Sequence, residues 1–194
     1  MPVALDIDEI MGAYPIRPWQ SCKVDAGFLD AGYYRAFGRW HKGVDINLKS
    51  GGDSDLGYPV QNMFAGKVVF AERVVGSWGG IVLVRAGIVS VQHAADMTGL
   101  VMDVLDVQYA HLHHVTVKTG DIVRAGDHVG SIGKGTRNQY TAHLHLEMRR
   151  TIRPAAEGQG GGDEAKRIAK VHYLDPLAMM TAIRLSNYGR AHEA

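Results

Sequence analysis

The stretch Thr141-Ala142-His143-Leu144-His145-Leu146-Glu147-Met148 alternates polar His143, His145 and Glu147 with apolar Leu144, Leu146 and Met148. A two-residue repeat marks a half-buried β-strand, whose successive side chains project from opposite faces. Both imidazoles and the carboxylate therefore share one face. Neutral imidazole is a common zinc ligand, and a strand fixes the direction in which it points. On its own a His-x-His pair also fits a solvated strand face, so partners elsewhere in the chain must decide.

A chain of 194 residues, 46% hydrophobic and 21% charged, is long enough to bury one proper core and has the composition of a globular domain. That composition disfavours disorder, and no apolar run is long enough to cross a bilayer. With 21 basic and 20 acidic residues the formal charge is +1, so no strong field points to nucleic acid or an anionic membrane as partner. Cys22 is the sole cysteine, which excludes an internal disulfide and leaves His, Asp and Glu to hold any metal. Residues Met1 to Ile10 are acidic where a secretory leader is basic and lack its apolar stretch, so Sec-type export is not expected.

Residues 1–36 alternate short apolar pieces with Pro and Gly and read as an irregular extension packed on the core. From Phe37 to Leu48 the chain enters a strand through Gly43, with Val44, Ile46 and Leu48 alternating; a turn before that strand can bring His41 and Asp45 onto one ion. Asp53 and Asp55 lie in a Gly-rich loop at 49–57 that lacks the spacing of a calcium loop and reads as solvated. Strand-like runs follow at 58–62, 67–71 and 80–85, and residues 86–106 fit either a strand extension or a short helix. Val107 to Leu112 resumes strand character, with His111 on the face of Tyr109. Short apolar runs between Gly-Asp turns from 115 to 133 complete a mainly β, compact antiparallel sheet or barrel. The Gly-rich run 153–163 reads as mobile, 164–172 as a helix, and a last helical tail runs through Ile183. The organisation expected is a single domain: an extension at 1–36, a core at 37–150, and a loop and helical extension at 151–194.

Together His41, Asp45, His111, His143 and His145 supply what a catalytic zinc site requires: nitrogen and oxygen ligands with a coordination position to spare, plus imidazoles able to move protons. The motifs around them resemble those of the lysostaphin-like (LytM-type) zinc metallopeptidases. The His-x-x-x-Asp element is matched by His41-Lys-Gly-Val-Asp45, the Tyr-Ala-His-Leu element by Tyr109 to Leu112, the Gly-Asp-x-Val run by Gly120 to Gly133, and His-Leu-His-Phe-Glu by His143 to Glu147. Order and spacing agree over 37–150. The resemblance implies a lysostaphin-type fold, one zinc ion held by His41, Asp45 and His145, and His111 with His143 as the catalytic pair. It implies an endopeptidase acting on bacterial peptidoglycan, in stem peptide or cross-bridge. Glu147 either steadies a ligand from behind or is a solvated strand residue. Thr141-Ala142 stands where the family shows Gly-Pro, and the segments 49–57, 86–106 and 153–170 are extra, which puts substrate choice in doubt.

Two other readings fit parts of the pattern. A peptidase fold kept as a catalytically inactive peptidoglycan-binding module would lack ligands, and none is missing here. A lipoyl-carrier-like barrel would need an exposed lysine at a hairpin tip, which is absent, and leaves the histidines unexplained. Tyr109 is the aromatic expected beside the groove; His113 and His114 are expected at the surface, and His93, His128, His172 and His192 have no motif around them. Without a leader or a wall-binding repeat, the expected setting is a phage lysin, made in the host cytoplasm and released through a pore, or a wall-degrading part of the virion. A bacterial enzyme exported by another route fits the same sequence. Oligomeric state is not legible.

Overall fold

The computed structural model describes residues 12–191; the leader reading falls on residues outside these. The strand predicted at 143–148 is β9 (Leu144–Arg149), and the domain is built around it. In chain order the other strands are β1 (Cys22–Ala26), β2 (Val44–Leu48), β3 (Pro59–Gln61), β4 (Gly66–Glu72), β5 (Gly80–Ala86), β6 (Asp106–Val115), β7 (Ile122–Val123), β8 (His128–Ile132) and β10 (Tyr173–Leu174). Among the described residues four α-helices accompany them: α1 (Ala31–Phe37), α2 (Ile88–Thr98), α3 (Gly162–His172) and α4 (Pro176–Ala191). The antiparallel sheet runs β1-β2-β9-β6-β5-β4-β7, with β8 bridging β6 to β3 and β10 continuing beside β9 where β2 has ended. Among the described residues no helix is long and apolar enough to cross a membrane.

The period-2 pattern sets the register. Val44 opposes Leu146, Ile46 opposes Leu144, and Tyr109 opposes Leu146 from the other side, so the apolar face of three neighbouring strands forms one fully buried layer. The opposite face carries the register pairs Asp45–His145, Ala110–His145 and Gln108–Glu147. Gly43 is required at the approach to β2, because a Cβ there would run into the carbonyl oxygen of Leu146.

Several expectations are corrected. β9 is buried on both faces rather than half-buried, since loops and aromatic side chains cover its polar side. The stretch 1–36 is not wholly irregular: within its described part β1 forms the sheet edge, and α1 starts where the Asp30 side chain accepts from the Tyr33 N–H at 2.7 Å. Of the two alternatives for residues 86–106 the helix holds, as α2, packed on α4. The helical tail continues past Ile183 to Ala191. The loop 49–57 is not simply solvated, for Asp55 is buried and Asp53 accepts from the Ala142 N–H at 2.9 Å, next to His143.

The Gly-rich segment at 153–162 is tied down. Its carbonyls accept from Arg149 (at Arg153 and Pro154), Lys42 (at Gly158), the Trp40 N–H (at Gly160) and the Trp40 indole (at Gly162). Glu157 adds ion pairs to Arg153 and Lys42 and accepts from the Tyr173 hydroxyl at 2.6 Å. Glycines permit close approach here rather than motion: a side chain at Gly161 would strike the Gly38 carbonyl.

Candidate metal centre and active site

His41 precedes β2, Asp45 lies on β2 and His145 on the adjacent β9, which places one atom of each in a small triangle. His41 Nε2 lies 3.2 Å from Asp45 Oδ1 and 3.0 Å from His145 Nδ1, and His145 Nδ1 lies 2.8 Å from Asp45 Oδ1. Among the described residues these three form the one group of potential ligands so placed. His143, joined to Gly133 by a bridge just before β9, puts its Nε2 3.6 Å from Asp45 Oδ1.

His111 arrives by a route the strand pattern did not foretell. Alternation along β6 puts it on the core side with Tyr109. Instead it adopts φ 63°, at a bulge where Tyr109 opposes Val82 and Leu112 opposes Gly80 on β5. The kink turns its ring to the polar face, 4.7 Å from the His143 ring and 5.6 Å from the His145 ring. Tyr109 stays behind in the core, fully buried, donating to Asn62 Oδ1 and accepting from the Met63 N–H, so it does not line the groove.

Each imidazole is oriented by what its second nitrogen meets. His41 Nδ1 faces the Gly27 carbonyl at 2.9 Å, His111 Nδ1 the Trp78 carbonyl at 2.8 Å, and His143 Nδ1 the Thr141 carbonyl at 2.7 Å. A carbonyl only accepts, so each of these nitrogens carries its hydrogen and the other presents a lone pair to the site. His145 Nε2 donates to Glu147 Oε1 at 3.1 Å, which aims Nδ1 at Asp45. Glu147 is fully buried and acts from behind His145; the solvated alternative is excluded.

The donor set suits a small divalent cation. Three electron-rich atoms converge with no fixed donor between them, and ligand atoms of tetrahedral zinc, at bond lengths of about 2.0–2.1 Å, lie about 3.3 Å apart. Without a cation a proton takes up that role. Burial by itself lowers the His145 pKa, but hydrogen bonds to Asp45 and Glu147 outweigh it and raise it to about 9. Burial likewise raises Asp45, yet hydrogen bonds from His145 and His41 hold its carboxyl well below the usual range. His111 is pushed down to about 3, by burial first and then by the charges of His145 and His143.

Aromatic rings frame these groups. Tyr33 of α1 stacks on His41 at 4.5 Å, Trp78 stacks on His111 at 5.6 Å, and Tyr140 tilts against His111 at 4.6 Å. Tyr33 and Tyr140 had no signal in the sequence beyond nearness to the histidine motifs, and Trp78 had none. They line a groove of about 750 Å³ over the site, to which the tied segment adds Gly158 and Gln159. His113 and His114 are exposed, their rings meeting edge to face at 4.2 Å.

Comparison with solved structures places the architecture. SpoIIQ in the structure of the SpoIIQ-SpoIIIAH pore forming complex aligns over 87% of this chain and 89% of that one, at 20% identity and TM-score 0.57. The antimicrobial peptidase lysostaphin from Staphylococcus simulans aligns over 88% and 55%, at 20% identity and TM-score 0.54. A zinc containing peptidase from Vibrio cholerae aligns over 70% and 35%, at 23% identity and TM-score 0.51. At such identities the likeness speaks for the fold, which is of lysostaphin type. No curated protein matches the chain in sequence. Residues 39–157, which hold the three converging ligand atoms and the two further histidines, match the profile of peptidase family M23, and the chain belongs to that family.

Proposed function

We propose that the chain is a zinc-dependent endopeptidase that hydrolyses peptide bonds in bacterial peptidoglycan. The observation that carries this reading is the arrangement of four imidazoles under an open groove: each has its second nitrogen tied to an acceptor, the free nitrogens of His41, His143 and His145 converge on the Asp45 carboxylate, and the His111 ring lies 4.7 Å from that of His143. A binding module has no use for such convergence.

In this reading His41, Asp45 and His145 hold one ion. When bound, zinc supplies a Lewis acid that acidifies the attacking water and polarises the scissile carbonyl. His111, kept neutral by burial, offers its Nε2 lone pair to the attacking water and orients it. His143, whose Nε2 lies 3.6 Å from Asp45 Oδ1, takes the proton and returns it to the leaving amine. Trp78, Tyr140 and Tyr33 keep bulk water off the imidazole faces.

The likeness to SpoIIQ, taken from a complex with SpoIIIAH, favours a second reading, in which the chain is an assembly subunit whose partner is a protein. One experiment separates the two: digestion of purified sacculi by wild type, by chelator-treated protein with and without added zinc, and by His145→Ala, with mass spectrometry of soluble fragments. Peptide-bond cleavage that requires both zinc and His145 supports the peptidase. Zinc binding without cleavage of any sacculus type turns the case to the assembly subunit.

A further inference from the structure

Behind His145 lies a cluster of polar side chains with almost no access to water. Glu147, Gln108 and Arg149 are each 0% exposed, and Arg149 is among the largest wholly buried side chains of the domain. Glu147 Oε1 accepts from His145; Glu147 Oε2 accepts from Arg149 Nη2 at 2.7 Å and from Gln108 Nε2 at 3.2 Å. Arg149 Nη2 also donates to Gln108 Oε1 at 2.8 Å, and that oxygen accepts from the Ala156 N–H at 3.0 Å. The other end of the guanidinium, Nη1, donates to the carbonyls of Arg153 at 3.2 Å and Pro154 at 2.9 Å. An unbroken path of hydrogen bonds thus joins the His145 ring to the backbone of the segment that supplies Gly158 and Gln159 to the groove.

A buried ionic group gives little net stability over an apolar replacement, so its value lies in what it orients. Only a planar fork of donors reaches a carboxylate on one side and two carbonyls on the other; an ammonium cannot do both.

We propose that Arg149 is a positioning residue that couples the segment 153–159, whose Gly158 and Gln159 form one wall of the groove, to the orientation of His145, so that the wall seats and the ligand is aimed as one unit. This deepens the reading above, on which it rests for the role of His145. A peptide lying against Gly158 and Gln159 would then tighten the metal site, and a filled metal site would stiffen the wall, by reciprocity of coupling.

The test reads amide exchange at Ala156 by nuclear magnetic resonance, and zinc affinity by competition with a chromophoric chelator, on the full chain. In wild type, zinc is expected to slow Ala156 exchange roughly threefold or more. Arg149→Lys is expected to speed that exchange, to remove its response to zinc, and to weaken zinc binding roughly ten- to a hundredfold. Glu157→Gln, which loosens the same wall through Arg153, Lys42 and Tyr173 without touching Arg149 or His145, is expected to speed exchange and to weaken zinc binding less than Arg149→Lys does, while keeping the response of Ala156 exchange to zinc. An Arg149→Lys protein whose Ala156 exchange still responds to zinc as it does in Glu157→Gln overturns the proposal. If Arg149→Lys does not fold, wild type decides alone: Ala156 exchange indifferent to zinc overturns the coupling. A wild type that binds no zinc sinks the peptidase reading instead, and the coupling is then read in metal-free Glu147→Gln, where unchanged Ala156 exchange overturns it.

Discussion

His111 and His145 lie on neighbouring strands with ring centroids 5.6 Å apart, although strict alternation from the Ala110–His145 pair would send the His111 side chain through the sheet. The meeting depends on the left-handed backbone of His111 at φ 63°. A residue with a Cβ held there costs about 1–2 kcal/mol relative to glycine. His111→Gly is therefore expected to be more stable than His111→Ala by about 1 kcal/mol, the reverse of the usual order within a strand, while both lose peptidase activity. Paired denaturant melts check this; equal midpoints would deny the strain.

The metal-free protein is expected to be most stable near pH 6.5. His145 is raised from 6.5 to about 9, so its contribution is fully present below 6.5 and is lost as pH rises through about 9. His111 is lowered from 6.5 to about 3, so the unfolded chain takes up a proton that the native state refuses, and stability is lost as pH falls from 6.5 towards 3. Each arm amounts to about 1.4 kcal/mol per pH unit where its group alone differs. Below about pH 4.5 the loss of Glu147, whose carboxyl the His145 hydrogen bond and Arg149 hold down at about 2 against its burial, steepens the acid arm. Thermal melts of chelator-treated protein across pH 4–9 test the peak.

Zinc binding has to displace the proton that His145 shares with Asp45. Affinity is expected to rise about tenfold per pH unit from pH 6 to pH 8, with about one proton released per ion at pH 7. Calorimetry in buffers of different ionisation enthalpy measures the release directly. An affinity flat over this range would mean that His145 is already neutral in the metal-free protein.

Asp53 braces the start of β9 from the loop at 49–57, accepting from the Ala142 N–H and pairing with Lys134. Its truncation should disturb His143 more than the three ligand atoms. Asp53→Ala is expected to lower kcat by roughly five- to tenfold, equivalent to one hydrogen bond of about 1 kcal/mol, with zinc affinity unchanged. Loss of zinc affinity in the same variant would place the brace elsewhere.

The strand at 143–148 and the turn at 41–45 that brings His41 beside Asp45 were legible because period-2 alternation and fixed motif spacing are local properties. The face of His111 was not, since a bulge is created by what opposes the strand, and nothing at residues 109–112 announces the left-handed turn. Tyr33 and Tyr140 escaped notice for a related reason: stacking on His41 and His111 is a tertiary event, whereas Tyr109, adjacent in sequence, drew attention and lies in the core. The glycines at 158–162 misled in the other direction. Read locally they promise motion, yet Lys42 and Trp40, far off in sequence, hold their backbone.

Three of the four imidazoles take their tautomer from main-chain carbonyls of surface loops, at Gly27, Trp78 and Thr141. For anyone wishing to retarget the protein, those three loops are unsuitable for grafting, because exchanging them rewrites the proton placement of the centre along with its surroundings. Variation in α1 on one bank and at Gly158 and Gln159 on the other leaves those carbonyls alone. New selectivity is therefore best sought on the banks of the groove, with its floor left as inherited.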